Sequence, residues 1–283
     1  MKTFRSCETG RFNTGTGGCP FVPEKIKAAI LMTAGTTFDI ATFEDDFVRL
    51  IHANRPDRIY PFGNIIQYAA NGGDANVSSV GYGPSKFNGY NPLTETWTID
   101  GRPMSLFKNL MRLKNIPMDV AYIDNDGNIY CEDAGNGKFK GYSLSSVYPD
   151  GAQFPTESEN ASMNVNLVYR DIEAAWKNSI VLSSDGNIVD KANGLQWVEL
   201  VKAGGANEYK LISKDDGLDI TAIYGSMLRN QTAWQNVSAA AFDPDTETFT
   251  LTTTAGESPL LKRPSDLCTF NPSITGIEQW TGQ

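Results

Sequence analysis

The chain is almost without histidine: His52 is the single one among 283 residues. Ser-His-Asp and Cys-His mechanisms therefore have one possible base between them, and a His-rich metal site is excluded. His52 follows Ile51 at the end of a patterned helix, where it is expected to pack or to complement the helix dipole. Cysteine is scarce too. Cys7, Cys19, Cys131 and Cys268 form no C-x-x-C pair, so a zinc ribbon is not expected. Cys7 and Cys19 could pair in an oxidising compartment; in a protein assembled in a cytoplasm they are expected as free thiols. No apolar run reaches the roughly 18 residues that a membrane-spanning helix needs. Lys2 and Arg5 are not followed by an apolar stretch, so a secretory leader is not expected. Basic charge is short as well: 24 Lys and Arg against 33 Asp and Glu leave a net charge of −9. That balance excludes a basic footprint for gripping nucleic acid; such acidity is ordinary among soluble proteins, and it also suits a surface past which DNA slides without sticking. The sequons beginning at Asn76, Asn160, Asn230 and Asn236 are what an Asn-, Ser- and Thr-rich chain yields by chance.

What the chain does have is apolar material, 40% of its residues, enough for one large or two smaller cores. Residues 1–23 read as an extended arm, broken by Gly10, Gly15, Gly17 and Gly18 and closed by Pro20 and Pro23. Lys25–Thr33 reads as a strand. A helix over about 43–54 follows, with Glu44, Asp45 and Asp46 in its first turn and Phe43, Phe47, Leu50 and Ile51 on one face. The Gly-, Asn- and Ser-rich stretch 72–92 reads as a long loop of the kind that engages partners. Thr94–Asp100 alternates like a half-buried strand, and Pro103 opens a second helix, 103–114, with Leu106, Phe107, Leu110 and Leu113 as its stripe. Asp124-Asn125-Asp126-Gly127 between two apolar runs is a hairpin signal, and Phe139–Val147 and Ser162–Tyr169 read as long strands. Beyond 181 the strands become short and evenly spaced: 196–201, 209–213, 219–224, 237–242 and 246–254.

Signatures of chemistry are thin. Asp124–Gly127 has the start of a calcium loop, but Gly135 stands where the bidentate Glu belongs, so the turn reading prevails; Asp215-Asp216-Gly217 is read the same way. Gly135-Asn136-Gly137-Lys138 is too short for a phosphate loop. Two carboxylates would suffice for a polysaccharide hydrolase, yet nothing marks one pair among the 33. Trp97, Trp176, Trp197, Trp234 and Trp280 could line a sugar groove, with Trp234 and Trp280 the first candidates; burial is the more ordinary fate of indoles. No residue is expected to be catalytic, cofactor-binding or metal-ligating, and no cofactor is expected.

Three segments together resemble virion structural proteins of tailed phages that infect Bacteroidota. They are Cys7-Glu8-Thr9-Gly10 … Gly18-Cys19-Pro20 … Lys25-Ile26 … Ile30-Leu31, then Met104–Lys114 through Ile123–Gly127 to Gly137-Lys138-Phe139-Lys140-Gly141-Tyr142, and Phe242-Asp243 … Thr248-Phe249-Thr250-Leu251 … Gly276-Ile277-Glu278. The resemblance covers about half of the chain and contains no catalytic signature. It implies a mainly β fold: a tail-tube-like sandwich or barrel with one or two packing helices over 24–180, behind the arm 1–23, and a small immunoglobulin-like β-sandwich over 181–283. It further implies a non-enzymatic subunit of the virion, assembled in the host cytoplasm into stacked, usually hexameric rings that meet other virion proteins and pass DNA without binding or membrane insertion. A decoration or head-fibre protein, or a binder of surface glycans, could carry the same C-terminal module.

Overall fold

One seven-residue strand, Met118–Asp124, is buried along its whole length in the computed structural model. The structure describes residues 2–5, 24–79, 81–101, 104–113, 116–184, 188–254, 256–270 and 276–281. Two units divide the chain: Met1–Val48 with Arg55–Asn193, and Arg49–Asn54 with Gly194–Gln283. Of the expected arm 1–23, all but Lys2–Arg5 lies outside the described residues.

In chain order the first unit runs β1 (Lys2–Arg5), β2 (Ile26–Thr33), β3 (Phe38–Asp39), α1 (Phe43–Ile51, which belongs to the second unit from Arg49 on), β4 (Ile59–Phe62), β5 (Ile65–Gly72), β6 (Ala75–Ser78) and β7 (Lys86–Tyr90). It continues through β8 (Leu93–Asp100), α2 (Met104–Leu113), β9 (Met118–Asp124), β10 (Ile129–Gly135), β11 (Lys138–Lys140), β12 (Tyr142–Pro149), β13 (Ser162–Tyr169), α3 (Ile172–Lys177) and β14 (Ser179–Ser183). Twelve of these strands make one sheet whose main path is β1-β14-β10-β9-β12-β13-β8-β5. The fold is mainly β with few packing helices.

β9 explains the branching of that sheet. One of its edges pairs with β2 over its full length. Its other edge is divided: Ile123 and Tyr122 pair with β10, whereas Val120, Asp119 and Met118 pair with β12. Between β11, which still pairs with β10, and β12 stands Gly141. A Cβ on Gly141 would sit 2.7 Å from the Val120 backbone nitrogen and 2.8 Å from its carbonyl carbon. The chain changes partner at this point because glycine lets two backbones touch. Alternation along β9 then serves two cores. Met118, Val120 and Tyr122 join Trp97, Leu144, Val165 and Leu167, with Leu110 of α2. Asp119, Ala121 and Ile123 point the other way, and all three are fully buried. On α1, Phe43 meets Phe38, Phe47 and Phe139 with ring centroids 5.5, 5.6 and 4.8 Å away, each edge to face. Such aromatic pairs add about 0.5–1.5 kcal/mol each beyond the area they bury.

The long loop expected over 72–92 is instead built around a two-stranded hairpin. β6 and β7 pair Ala75 with Tyr90, Val77 with Phe87 and Ser78 with Lys86. Gly72 and Gly73, both at positive φ, turn the chain out of β5. The composition concealed this hairpin because both strands are exposed, so neither shows the alternation that a buried face imposes.

The second unit contains β15 (Gln196–Lys202), β16 (Glu208–Ser213), α4 (Thr221–Leu228), β17 (Trp234–Gln235), β18 (Val237–Asp243), β19 (Thr248–Thr253), β20 (Leu260–Leu261), α5 (Pro264–Phe270) and β21 (Ile277–Gln279). Its five-stranded sheet has the order β18-β19-β16-β15-β21, antiparallel except for the parallel β15–β21 pair. Where the sequence reading places an immunoglobulin-like sandwich, Leu228 of α4, Trp234 and Leu261 of the β17–β20 ladder, and Leu267 of α5 share a core with Val198, Leu211 and Phe249 of the sheet. The strand expected at 219–224 is the first part of α4. Its β-branched run, Ile220-Thr221 and Ile223, favours a strand locally, and tertiary contacts override that. Asp219 Oδ1 accepts from the Thr221 N–H at 3.0 Å, and Thr221 Oγ1 accepts the Leu211 N–H at 2.8 Å, which anchors the helix start. Gly225 lies directly against the Phe242 ring, where any Cβ would overlap it.

Gly141→Ala is expected to cost about 3 kcal/mol, because neither backbone at the crossing can retreat. Gly151→Ala, which meets open space, should stay within about 0.5 kcal/mol of wild type. Urea denaturation of the two variants checks the pair; equal midpoints would show that the crossing is not tight.

Candidate functional site

Period-two alternation along β8 places Leu93, Glu95, Trp97 and Ile99 on the core face. Three of these are ordinary core residues. Glu95 is a carboxylate there, and its surroundings are built for it. Tyr68 of β5 donates to Oε1 at 3.2 Å. Oε2 accepts from Tyr122 of β9 at 2.5 Å, from Tyr169 of β13 at 3.1 Å and from the Trp97 indole N–H at 3.2 Å. The Tyr122 and Tyr169 hydroxyls also lie 3.1 Å from one another. One side chain thus ties four strands. The rings around it form a chain of contacts, Tyr68–Trp97 at 4.6 Å, Trp97–Tyr122 at 5.0 Å, then Tyr142 and Tyr169 at 6.1 Å steps.

Burial pushes the Glu95 carboxyl above the usual glutamate range, and the four donors, led by Tyr122, only partly offset this. The phenols respond in kind. Burial drives Tyr122 and Tyr169 well above the ordinary tyrosine value, and burial together with Glu95 pushes Tyr68 up to about 12. Phenols held this high stay neutral donors at any physiological pH, and the carboxylate they surround is already committed to them. The arrangement is suited to holding strands together, and its geometry assigns no step of a reaction.

The groups weighed from sequence are scattered rather than gathered. His52 is buried, and its Nε2 accepts the Gly276 N–H at 3.4 Å, as a packed histidine would. Asp124 folds its own turn: Oδ1 accepts the Asp126 and Asn128 N–H groups, and Oδ2 accepts from Asn128 Nδ2 and the Tyr130 hydroxyl, all at 2.9 Å. The hairpin reading of Asp124–Gly127 is therefore the right one; those oxygens are taken. Asp216 Oδ1 likewise accepts the Leu218 N–H inside its own turn. Trp234 is buried, with its indole N–H donated to the Leu228 carbonyl at 2.7 Å, which removes it as a sugar platform. Trp280 packs edge to face on Trp197 at 5.2 Å. Cys131 is buried and Cys268 half-buried, both as free thiols, while Cys7 and Cys19 lie outside the described residues. Asp119, which sequence reasoning passed over, is fully buried; its Oδ2 accepts the Gly35 N–H at 2.8 Å, and burial raises its carboxyl.

The other distinctive feature is a surface. β5 is the last strand on the main path of the twelve-stranded sheet. Only its first residue is buried; Ile66 through Gly72 are all exposed, Ile66 by 59%. That run carries neither charge nor proline. The adjoining β6–β7 hairpin exposes Val77, Phe87 and Tyr90, with Tyr82 between the strands. Phe87 stacks edge to face on Tyr90 at 5.1 Å, and Tyr90 on the half-exposed Trp176 of α3 at 5.0 Å. Glu95 escaped the sequence reading because one acidic residue in an alternating strand looks like a polar outward position. Its partners come from four separate segments.

No family model matches the chain, and no curated protein matches it. Solved structures provide distant likenesses, among them two from one assembly. The cap that terminates the tube of the anti-feeding prophage is 12% identical, with a TM-score of 0.27 over 59% of this chain and 95% of that one. A chain of the anti-feeding prophage baseplate is 10% identical, with a TM-score of 0.28 over 59% of this chain and 99% of the other. At such TM-scores the likeness fixes neither fold nor role.

Glu95 makes a defined contribution to stability against pH. Burial raises its folded-state pKa, so the stabilisation is complete below the ordinary glutamate value, about 4.3, and is lost as pH rises through the raised value. Glu95→Gln should remove this decline and leave the variant at least as stable as wild type at neutral pH. Thermal melts of both proteins from pH 4 upward measure it; parallel curves would mean that Glu95 does not titrate in this range.

Proposed function

We propose that this chain is a structural subunit that assembles with copies of itself, and specifically a virion protein of the tail-tube kind. The observation that carries the reading is the outer edge of β5, with which no strand among the described residues pairs. A strand edge with free N–H and C=O groups, no charge and no proline is a template for another strand. Edges of this kind in proteins that remain monomeric are blunted by lysine, proline or a covering element. β5 has none of these in its own sequence, and an exposed aromatic hairpin flanks it. Pairing the edge with a neighbouring copy covers both features at once. Repeated head to tail around a closed ring, such pairing removes the edge altogether.

The resemblance noted in the sequence supplies the finer content of the reading: rings, usually of six, stacked around a lumen that passes DNA, with the second unit as an immunoglobulin-like module outside. The net charge of −9 suits a conduit that repels phosphate. Nothing in the Glu95 network or the turn carboxylates asks for an enzymatic role.

Negative-stain microscopy of the purified protein over a range of concentrations tests the reading, with light scattering beside it. Rings or tubes with a lumen are expected. Gln67→Lys with Ala69→Lys places two charges on the face of β5 opposite Tyr68. It should abolish assembly while circular dichroism stays that of wild type. Wild-type protein that remains monomeric at every concentration would sink the proposal.

A further inference from the structure

A ring built head to tail needs two different surfaces on each copy, one to give and one to receive. Pairing β5 with the β5 of another copy would be a two-fold contact instead, complete at the dimer. The receiving edge must therefore lie elsewhere on the chain. Most open strand edges among the described residues carry charge, proline or extreme shortness, the devices that discourage pairing. β1 has four residues, Lys2 and Arg5 among them. β4 has four, with Pro61 inside. β6 has four, and its partner β7 carries Lys86. β3 has two residues, β21 three, and the β17–β20 ladder two on each side.

β18 of the second unit differs from all of these. It ends the five-stranded sheet and pairs only with β19 among the described residues. It runs for seven residues, and from Val237 to Phe242 it holds neither charge nor proline. Val237, Ala240 and Phe242 pack against the core of that unit, whereas Ser238, Ala239 and Ala241 are exposed. Alanine has little preference of its own for a strand, so the ladder with β19 is what holds this run extended. Asp243, which closes the strand, uses its carboxylate locally: Oδ1 accepts the Asp245 N–H at 2.9 Å. Among the described residues, β5 and β18 are thus the two long, uncharged edges, eight residues and seven.

We propose that β18 of one copy is the receiver for β5 of the next, so that each junction joins the first unit of one chain to the second unit of another. This rests on the reading of β5 as the assembly edge, and adds what that edge meets. Side-by-side pairing satisfies the outward N–H and C=O groups of both strands. No charge within β5, or within β18 from Val237 to Phe242, has to leave water for it. Side-chain size is complementary too. β5 exposes Ile66, Gln67 and Tyr68, and β18 offers Ala239 and Ala241, so bulk on one edge meets space on the other. The second unit is then a clasp on the neighbouring copy.

Two full-chain variants, each with one edge closed, test the pairing by light scattering. Gln67→Lys with Ala69→Lys closes β5. Ala239→Lys with Ala241→Lys, both at exposed positions, closes β18. Each variant alone is expected to stay monomeric, with the circular dichroism of wild type. Mixed in equal amounts at high concentration, they should double in mass and grow no further, because the mixture keeps one open β5 and one open β18 per pair. That doubling also shows that both variants are folded, since each must present its intact edge to the other. A β18 variant that assembles as wild type does, or that forms dimers by itself, would overturn the inference, for β5 would then have a different partner. So would a mixture that stays monomeric while wild type assembles. These results remove the receiver and leave the assembly reading standing, whereas wild-type protein that never assembles removes the assembly reading itself and the receiver with it.

Discussion

The first unit hangs on a strand with no exposed side. β9 is paired along both edges and buried on both faces, so every neighbouring element is placed by reference to it. An all-buried strand cannot slip in register by one residue without sending Asp119 into the core of Trp97 and Tyr122 into the other. The divided edge of β9 follows from this. Two strands cannot occupy the same hydrogen-bonding groups, so β10 takes one half and β12 the other, and the connection between them must cross the backbone at Val120. Glycine at 141 is the residue that permits the crossing.

A polar network lies inside this frame. Burying a carboxylate is expensive unless its lone pairs are met, and around Glu95 they are met by three phenols and an indole. The donors come from β5, β8, β9 and β13, so the carboxylate acts as a check on the assembly of the sheet: only the native register brings all four within reach.

The exposed edge and its aromatic hairpin make sense only beside that core. β5, β6 and β7 bury almost nothing of their own, yet their backbone pairing is complete on the side that faces β8 or each other. Such a surface is stable enough to be presented and too apolar to be left bare, a combination expected of an element that meets a partner.

Periodicity made much of the fold legible. The alternation of Leu93–Asp100, the stripe of α2 and the Asp-Gly hairpin after β9 could be read because each is half-buried or turned by local chemistry, and local chemistry is written in consecutive residues. The β6–β7 hairpin, exposed on both sides, left no such trace. The helix at 221–228 ran against its own β-branched start. A single acidic letter in β8 gave no sign of the phenols that would surround it. Composition and spacing alone determined that this is a mainly β chain, acidic, with one histidine. Only the tertiary structure decided which strand would be the spine, which edge would stay open and which carboxylate would be buried. Those outcomes depend on contacts between residues 27 to 74 positions apart, such as Tyr68 with Glu95 and Glu95 with Tyr169, and no local pattern encodes contacts at that range.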